Sequence, residues 1–324
     1  MSRKVIIGGV TIGGGEKTAV QSMSTLKISD TGKAAEQARI LKEAGCDILR
    51  FSVLDEADAK SFAELKKRVD IPLVADIHFD YRLAIKAIDG GADKIRINPV
   101  RVGSNTGSIE KEFLNKYGRN EISLGESALK NARCLEKYGV SDIVVSVKAS
   151  DAPLTVKANK YIAERADYPL HIGVTEAGTE YNGVVKNAVA IGALLSEGIG
   201  DTIRVSLSAD PVREVVAAKA ILSALKLESY GAEVIACPTC GRCAWDCMGF
   251  AAKTEEYVKN VKKPIKIAVM GCVVNGPGEA ADADIGVAGG KDGCVIFSGG
   301  RIIKKVREED LEKEFFAEID ECLK

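Results

Sequence analysis

Cysteine is the residue type in this sequence that most clearly indicates a chemical function. Four cysteines follow one another at C-x2-C-x2-C-x3-C spacing between Cys237 and Cys247. Residues three apart in a tight turn can point at one metal centre, and clustered thiolates are soft metal ligands. A second segment, from Gly271 to Glu279, adds one cysteine between an apolar strand and a Gly-Pro-Gly turn. The small side chains of that turn let the backbone approach another group closely.

The spacing of the first segment discriminates between the possible metals. It matches the bacterial iron–sulfur pattern, although Met248 stands where proline usually follows the last cysteine. A structural zinc site normally needs a second C-x2-C or histidine pair downstream, and both histidines, His78 and His171, lie upstream. A disulfide framework is disfavoured in a long chain with nine cysteines, an odd number, and no signal peptide. The spacing therefore favours an iron–sulfur cluster and leaves zinc as the alternative.

Together the two segments resemble the paired signatures of the 4-hydroxy-3-methylbut-2-enyl diphosphate synthase family, the iron–sulfur enzymes of the non-mevalonate isoprenoid pathway. The matching residues are Cys237-Pro-Thr-Cys-Gly-Arg242 and Gly271-Cys-Val-Val-Asn-Gly-Pro-Gly-Glu279, and further matches run from Val20-Gln-Ser-Met23 to the C-terminus. The resemblance implies a [4Fe-4S] cluster held by Cys237, Cys240, Cys272 and Glu279. Cys243 and Cys247 are outside the family pattern, so a ligand set made wholly from the first cysteine run stays open as a rival.

Composition bounds the remaining possibilities. At 324 residues, with 46% hydrophobic residues and a net charge of −1, the chain can bury a large core and gives no electrostatic reason to bind nucleic acid or an anionic membrane. No apolar run approaches the ~20 residues of a membrane span, and the apolar stretch at the N-terminus is too short for a signal peptide. We therefore expect a cytoplasmic protein with neither nucleic acid nor membrane as a partner.

The first two-thirds of the chain alternates short β-branched runs with amphipathic segments, which is typical of an α/β fold with a parallel sheet. A strand count near eight favours a (β/α)8-type TIM barrel in residues 1–228, followed by a C-terminal α+β iron–sulfur domain in residues 229–324. The expected strands are Val20–Met23, Ile48–Val53, Leu73–Ile77, Lys94–Asn98, Ile143–Lys148, His171–Thr175 and Thr202–Leu207. The expected helices are Asp55–Val69, Tyr81–Asp89, Val212–Leu225, Ala251–Lys262 and a last helix from about Glu308.

The alternation breaks once, directly after Lys94–Asn98. A second strand-like run, from Val100 to Asn105, follows without an intervening helix, yet a parallel crossover needs a dozen or more residues. In the family these runs resemble two separate strands joined by a loop and a helix, and roughly twenty residues of that connection are missing here. We therefore expect a barrel that is shortened between its fourth and fifth strands.

Polar residues at the C-terminal ends of the strands form the second group of candidate functional residues, because that face of a barrel carries the active site. The candidates for substrate binding are Arg50, Asp76, Arg96, Asn98, Arg101, Lys148, Thr175, Arg204 and Ser206. Cations converging from different strands suit a diphosphate, since arginine binds phosphate in a bidentate manner. Internal ion pairing with Asp76, Glu176 or Asp201 is the alternative for any single residue.

The resemblance also implies a reaction: reductive ring opening and dehydration of 2-C-methyl-D-erythritol 2,4-cyclodiphosphate. Glu279 is a harder and more exchangeable iron ligand than a thiolate, so it could leave and admit a substrate oxygen. Glu176 and His78 are the other catalytic candidates, as groups that move protons. Ferredoxin or flavodoxin would deliver electrons to a head-to-tail homodimer. A catalytically impaired relative and a metal-binding electron carrier remain as alternatives.

Overall fold

The computed structural model describes residues 1–78, 80–98, 109–274, 276–290 and 293–324. Within these ranges the chain forms two compact units, Met1–Glu228 and Ser229–Lys324. No helix in the described ranges is both long and apolar enough to cross a membrane.

A six-stranded parallel sheet forms the centre of the first unit, with the strand order β6-β5-β4-β3-β8-β7. Its strands are β3 (Ala19–Met23), β4 (Ile48–Val53), β5 (Leu73–His78), β6 (Lys94–Asn98), β7 (His171–Ile172) and β8 (Thr202–Ile203), and an antiparallel hairpin of β1 (Val5–Ile7) and β2 (Val10–Ile12) precedes them. The hairpin packs Ile7 and Ile12 into a buried cluster with Ile48 and Val74 of the sheet. The apolar residues of the N-terminal hairpin are therefore part of the core.

Eight helices described in the first unit follow the strands. They are α1 (Thr31–Ala44), α2 (Glu56–Lys66), α3 (Tyr81–Asp89), α4 (Lys111–Tyr117), α5 (Glu121–Lys137), α6 (Ala152–Ala163), α7 (Glu180–Leu195) and α8 (Pro211–Ala224). Asp210 caps α8 by accepting a hydrogen bond from the backbone N–H of Val212, and Pro211 occupies the first helical position, directly before the helix predicted over Val212–Leu225. The predicted helix over Asp55–Val69 is shorter than expected and ends at Lys66.

The strands that follow residue 140 differ from the prediction. The expected strand Ile143–Lys148 is reduced to isolated bridge residues at Val145, which pairs in parallel with Leu170, and at Lys148. The strands expected to reach Thr175 and Leu207 end at residues 172 and 203. A reason is visible at Gly173, where φ is +148° and an added Cβ would lie 2.2 Å from the backbone oxygen of Arg204. Only glycine permits this close approach, at which the regular ladder ends.

The register of the neighbouring strands sets the geometry of the polar residues. Asp76 of β5 lies opposite Arg96 of β6, and Met23 of β3 lies opposite Arg50 of β4. Paired residues of parallel strands project from the same face of a sheet. The strand ladders therefore bring two arginines and one aspartate to one face of the sheet.

The second unit is built on a five-stranded mixed sheet in the order β13-β12-β11-β10-β9. Its elements are β9 (Ala232–Ala236), α9 (Cys247–Val258), β10 (Ile265–Met270), α10 (Gly276–Glu279), β11 (Ile285–Gly290), β12 (Gly293–Ser298), β13 (Arg301–Val306) and α11 (Leu311–Leu323). Phe315 of α11 is fully buried in one core cluster with Phe250, Val287 and Ile296. The predicted helix Ala251–Lys262 begins earlier, because Asp246 caps it by accepting a hydrogen bond from the N–H of Gly249.

Candidate anion pocket and metal centre

A cavity of about 550 Å³ lies in the first unit and is lined by basic side chains. The cations on its wall are Arg50, Lys94, Arg96, Lys148 and Arg204, joined by Thr175 and Ser206. Both edges of the sheet contribute, since the wall includes residues 94–96 of β6 and residues 142–144 on the opposite side. In the part of the chain that the structure describes, no ladder pairs these two edges. Four of the five predicted cations, Arg50, Arg96, Lys148 and Arg204, thus meet at one site.

Asp76 holds two of these arginines. Its side chain is buried, and its carboxylate accepts a hydrogen bond from the Nη1 atom of Arg96 and lies 3.6 Å from the Nε atom of Arg50. A buried carboxylate between two guanidinium groups offsets part of their mutual repulsion and fixes their orientation. Asp76 therefore lies where the sequence placed it, among the cations, and its contacts are with the arginines of the pocket.

The carboxylate that contacts Arg204 was missed by the sequence reasoning. Glu214 of α8 is 5% exposed, and its Oε2 atom lies 3.4 Å from the Nε atom of Arg204. The same carboxylate accepts hydrogen bonds from the Ser22 hydroxyl, at 3.2 Å, and from the backbone N–H of Leu207, at 3.0 Å. The sequence feature that could have identified Glu214 is its position in the first turn of a clearly capped helix. A carboxylate at that position also interacts favourably with the helix dipole.

Two of the carboxylates named as alternative partners for the cations, Asp201 and Glu176, do not contact Arg204 among the described residues. Asp201 accepts hydrogen bonds from the Ser2 hydroxyl and from the backbone N–H of Leu170. Glu176 is exposed, and its backbone adopts a φ of +53°, a left-handed conformation that is uncommon for a residue other than glycine. Neither forms an ion pair with Arg204 or Lys148 among the described contacts. Sequence spacing could not distinguish these carboxylates from Glu214.

Lys148 is supported by a histidine and contacts no carboxylate among the described residues. Its Nζ atom lies 3.0 Å from the Nε2 atom of His171, whose Nδ1 atom lies 2.7 Å from the Thr202 hydroxyl oxygen. Burial, followed by the charge of Lys148, holds the pKa of His171 well below its usual value. The neutral imidazole thus accepts from Lys148 at Nε2 and carries its proton at Nδ1. His171 therefore orients Lys148 from the wall of the cavity.

Two further residues beside these cations were not predicted: Met23, which contacts two of the arginines, and Lys94, which lines the cavity. Met23 lies between two arginines, with its sulfur 2.8 Å from Nη2 of Arg50 and 3.7 Å from Nη1 of Arg204. A thioether is a weak acceptor, so it separates the guanidinium groups without neutralising them. Lys94 lies two residues before Arg96 and hence on the same face of β6. Burial, reinforced by Arg50 and Arg96, lowers the pKa of Lys94 to about 8. The spacing of two residues between Lys94 and Arg96 could therefore have identified Lys94 as a site residue from the sequence.

Three predicted residues cannot be placed in this site. Arg101 lies outside the described residues. His78 and Asn98 end β5 and β6, and their side chains are likewise outside what the structure describes. Their roles therefore stay predictions.

A second, smaller cavity of about 40 Å³ lies in the second unit, where two neighbouring parallel strands end. Ala236 of β9 pairs with Val269 of β10, and the N–H of Cys237 continues this ladder by donating to the carbonyl of Val269 at 2.9 Å. Because the carboxyl ends of parallel strands meet at one edge of a sheet, the segments that begin at Cys237 and Gly271 come together here. The two cysteine segments, which begin 34 residues apart in the sequence, thus form one site.

Soft and hard metal donors share the wall of this cavity. Its lining residues are Cys237, Cys240, Arg242, Cys243, Met270, Gly271, Cys272, Gly276 and Glu279. A Cβ atom added at Gly271 would lie 3.5 and 3.4 Å from the sulfurs of Cys237 and Cys243, so this glycine lies directly beside both thiols. Gly276 is sterically constrained, since its added Cβ would lie 2.8 Å from the Cβ of Met270. Several thiols with one carboxylate are a donor set that fits an iron–sulfur cluster.

The donors surround the cavity without converging on one point. In the described ranges, no three His, Cys, Asp or Glu side chains come close enough together to hold a metal ion. Arg242 adds a positive charge, since hydrogen bonding to Cys272, and interaction with Cys240, raise its pKa. A cation at this position would stabilise thiolate charge.

The other five cysteines are not among the residues that line this cavity. Cys247 lies at the start of α9, is buried, and is not among the lining residues of the cavity. Burial raises the pKa values of the Cys46 and Cys247 thiols to about 12 and that of Cys294 to about 11, so these thiols stay protonated. Trp245 packs against Phe250 and donates its indole N–H to the carbonyl of Gly271 at 3.2 Å, so it supports the wall of the cavity.

These features define a two-domain protein class that combines a barrel-type α/β unit bearing a cation-lined pocket with a smaller unit bearing a thiol-lined metal centre. The chain belongs to the GcpE family. Residues 2–100 and 99–219 match the model of the GcpE TIM-barrel domain, and residues 233–321 match that of the GcpE protein C-terminal domain. The family and the fold class expected from the sequence are thereby confirmed.

Relatives at high identity support this assignment. The chain is 51% identical to a 4-hydroxy-3-methylbut-2-en-1-yl diphosphate synthase (flavodoxin) of Caldanaerobacter subterraneus, an alignment that covers 100% of this chain and 98% of the relative. It is 52% identical to the synthase of the same name from Thermotoga petrophila over 95% of this chain and 94% of that one. Among solved structures, a dihydropteroate synthase from Xanthomonas albilineans is similar with a TM-score of 0.48 at 12% identity, over 69% of this chain and 99% of that one.

The comparison also locates the shortened connection. The first of these alignments spans 347 positions and includes all 324 residues of this chain, so at least 23 positions, the difference, have no counterpart here. The barrel model matches in two parts that meet at residues 99–100. This break in the barrel match coincides with the place where the sequence predicts the shortened connection.

Proposed function

We propose that this chain catalyses the reductive ring opening and dehydration of 2-C-methyl-D-erythritol 2,4-cyclodiphosphate to 4-hydroxy-3-methylbut-2-enyl diphosphate, the activity in the name of its relatives. The reaction takes up two electrons and two protons and releases one water molecule. The observation that carries the proposal is that one chain holds both a cation-lined pocket and a thiol- and carboxylate-lined cavity.

The pocket of the first unit would bind the diphosphate. Arg50, Arg96 and Arg204 present guanidinium groups that can bind phosphate oxygens, and Lys148 adds a point charge. Thr175 and Ser206 line the same wall, where their hydroxyl groups can donate hydrogen bonds. The only carboxylates that contact these cations within the described ranges are Asp76 and Glu214, so positive charge remains for an anion. Arg101 and Asn98 are proposed to complete the binding site.

The cavity of the second unit would hold a [4Fe-4S] cluster through Cys237, Cys240, Cys272 and Glu279. When bound, the cluster supplies electrons one at a time to the substrate. Glu279 is exposed at the mouth of the cavity, and a carboxylate exchanges on iron more readily than a thiolate. Its departure would free a position for a substrate oxygen. Arg242 would offset the negative charge of the thiolates.

The two protons need donors at the pocket. Glu176 follows Thr175 of the pocket wall, and we propose that it protonates or orients the substrate. Its left-handed backbone conformation is the kind of local strain that is found at functional sites. His78, at the end of β5, is proposed as the second proton-transferring group. Flavodoxin, named with the relatives, or a ferredoxin is the proposed electron donor, and a homodimer the proposed assembly.

The test is an anaerobic assay of the reconstituted protein with the cyclodiphosphate and dithionite. We expect conversion to the allylic diphosphate by the unaltered chain and none by Cys272→Ser, which removes a proposed cluster ligand; product is measured by mass spectrometry. Cys134→Ser, at an exposed cysteine in the first unit, is the matched control and should retain full turnover.

Other outcomes of this assay would identify the alternatives. Protein that contains iron and sulfide but gives no product would be a catalytically impaired relative, an outcome that the missing positions near residues 99–100 make worth testing. Colourless protein with one zinc per chain would be a metal-binding protein of another kind and would contradict the proposal.

Substrate binding is also expected to draw protons onto the pocket. Each phosphorus of the cyclic diphosphate carries one strongly acidic oxygen, so the ligand itself does not titrate near pH 8. An anion beside Lys94, whose pKa is about 8 in the free protein, favours the charged form and raises that pKa. Calorimetry at pH 8 in buffers of different ionisation enthalpy should show uptake of up to about half a proton per site, because a group with a pKa of about 8 is half protonated at that pH. Lys94→Met should reduce the uptake, and identical enthalpies in all buffers would contradict the expectation.

A further inference from the structure

Cys243 is the one lining thiol of the metal cavity for which the proposed function has no use. It is half-buried, and its sulfur and that of Cys237 flank the same point beside Gly271, at 3.4 and 3.5 Å from an added Cβ. Its thiol donates a hydrogen bond to the carbonyl of Trp245 at 3.3 Å, within its own loop. It therefore lies on the wall of the cavity, not in the core behind it.

The spacing of Cys243 gives a second, independent indication. Cys237, Cys240 and Cys243 repeat at intervals of three, and the C-x2-C-x2-C arrangement places three thiolates on three irons of one cluster in bacterial iron–sulfur proteins. Thr239, between the first two, has a φ of +64°, a strained conformation for a β-branched residue that turns the loop back on itself. With Cys272 from the second segment, the cavity thus offers four thiols as well as Glu279.

We infer that Cys243 is a reserve ligand that competes with Glu279 for the fourth iron of the cluster. The inference rests on the proposed function, since it assumes that a cluster binds here. In one form Glu279 holds the fourth position, and in the other Cys243 holds it. The exchange is a substitution without electron transfer: the Cys243 thiol gives up its proton as its sulfur binds, and the released carboxylate or water accepts that proton.

The two forms differ in what they can do. A carboxylate exchanges readily on iron, so the form with Glu279 admits a substrate oxygen. Four thiolates leave no exchangeable position, so the form with Cys243 retains the cluster but excludes the substrate. Cys243 would thereby provide a storage form of the cluster that persists when Glu279 is displaced.

Iron and sulfide content of anaerobically reconstituted variants tests the inference without relying on activity. We expect Glu279→Gln to keep most of its iron, because Cys243 replaces the carboxylate. Glu279→Gln combined with Cys243→Ser should bind at least threefold less iron, and Glu279→Gln combined with Cys134→Ser, the matched control, should bind as much as Glu279→Gln alone. Far-UV circular dichroism of each variant establishes that the protein is folded.

A labelling experiment provides a separate readout. Holoprotein is treated with iodoacetamide, and modification of each cysteine is measured by mass spectrometry. Cys243 should react in the unaltered protein in the fraction that carries Glu279 on iron, and should be protected in Glu279→Gln. Equal reactivity of Cys243 in both proteins, or equal iron in the single and double variants, would overturn the inference and leave the proposed function standing. An unaltered chain that binds no cluster would instead overturn the proposed function.

Discussion

Replacement of Asp76 with alanine is expected to lower the free energy of unfolding of the first unit by about 3–5 kcal/mol. Asp76 is 1% exposed and contacts both Arg50 and Arg96, so its removal leaves two largely buried guanidinium groups without their shared carboxylate. The cost of such a change is mainly the burial of charge that is no longer compensated, which is larger than the stabilisation that the pair provides when intact.

The measurement can be confined to the affected unit. The single tryptophan, Trp245, belongs to the second unit, so its fluorescence in urea reports on that unit, whereas far-UV circular dichroism reports on both. We expect Asp76→Ala to move the circular dichroism transition to lower urea and to leave the Trp245 transition unchanged. Asp70→Ala is the control, because Asp70 is fully exposed and pairs with Lys42 on the surface. A shift for Asp70→Ala as large as that for Asp76→Ala would contradict the argument.

Replacement of Lys148 with methionine is expected to change stability and anion affinity in opposite directions. Lys148 is buried beside Arg204, Arg50 and Arg96, and burial is the largest cause that holds its pKa well below the usual value. Methionine fills a similar volume without a charge, so we expect the empty protein to become more stable by about 1–2 kcal/mol. Loss of a charged donor to phosphate should weaken binding of the cyclic diphosphate by about 10- to 100-fold.

The pH dependence of this stabilisation follows from the lowered pKa. The unfolded chain binds the Lys148 proton more tightly than the folded protein does. The penalty is therefore complete below the pKa of the folded state and disappears as the pH rises to the pKa of the unfolded chain, near 10.4. The stability difference between Lys148→Met and the unaltered protein should shrink over that rise. Lys157→Met, at an exposed lysine of α6, is the control for both measurements, and a destabilised Lys148→Met with unchanged affinity would refute the argument.

Local sequence was sufficient for some elements. The runs Ile48–Val53, Lys94–Asn98 and Ile265–Met270 form strands with the expected bounds, and Tyr81–Asp89 forms the expected helix. Each combines a strong periodicity or a β-branched run with turn or capping residues at its ends. The break after Asn98 was equally visible, because the missing helix leaves too few residues for a parallel crossover.

Partners of buried charges could not be read from the sequence. Arg204 had three carboxylates within plausible reach, and its ion pair is with Glu214, ten residues along the chain on α8. That choice depends on how α8 packs against β3, which brings Glu214 to Ser22. The shortened strands after residue 140 also depend on packing, because the backbone at Gly173 approaches Arg204. Such contacts depend on the register and the approach of distant segments, which local propensity does not encode.

The sequence by itself determined the family signature, the soft donor set and the excess of cations, because these depend on residue types and on spacings of a few residues. Only the tertiary structure decided which thiols share a cavity. Cys237 and Cys272 meet because β9 and β10 are parallel neighbours whose ends lie at one edge, whereas Cys247 turns into the core at the start of α9. The physical reason is that a metal site needs donors within a few ångströms of each other, and sheet pairing and burial, not distance along the chain, set that separation.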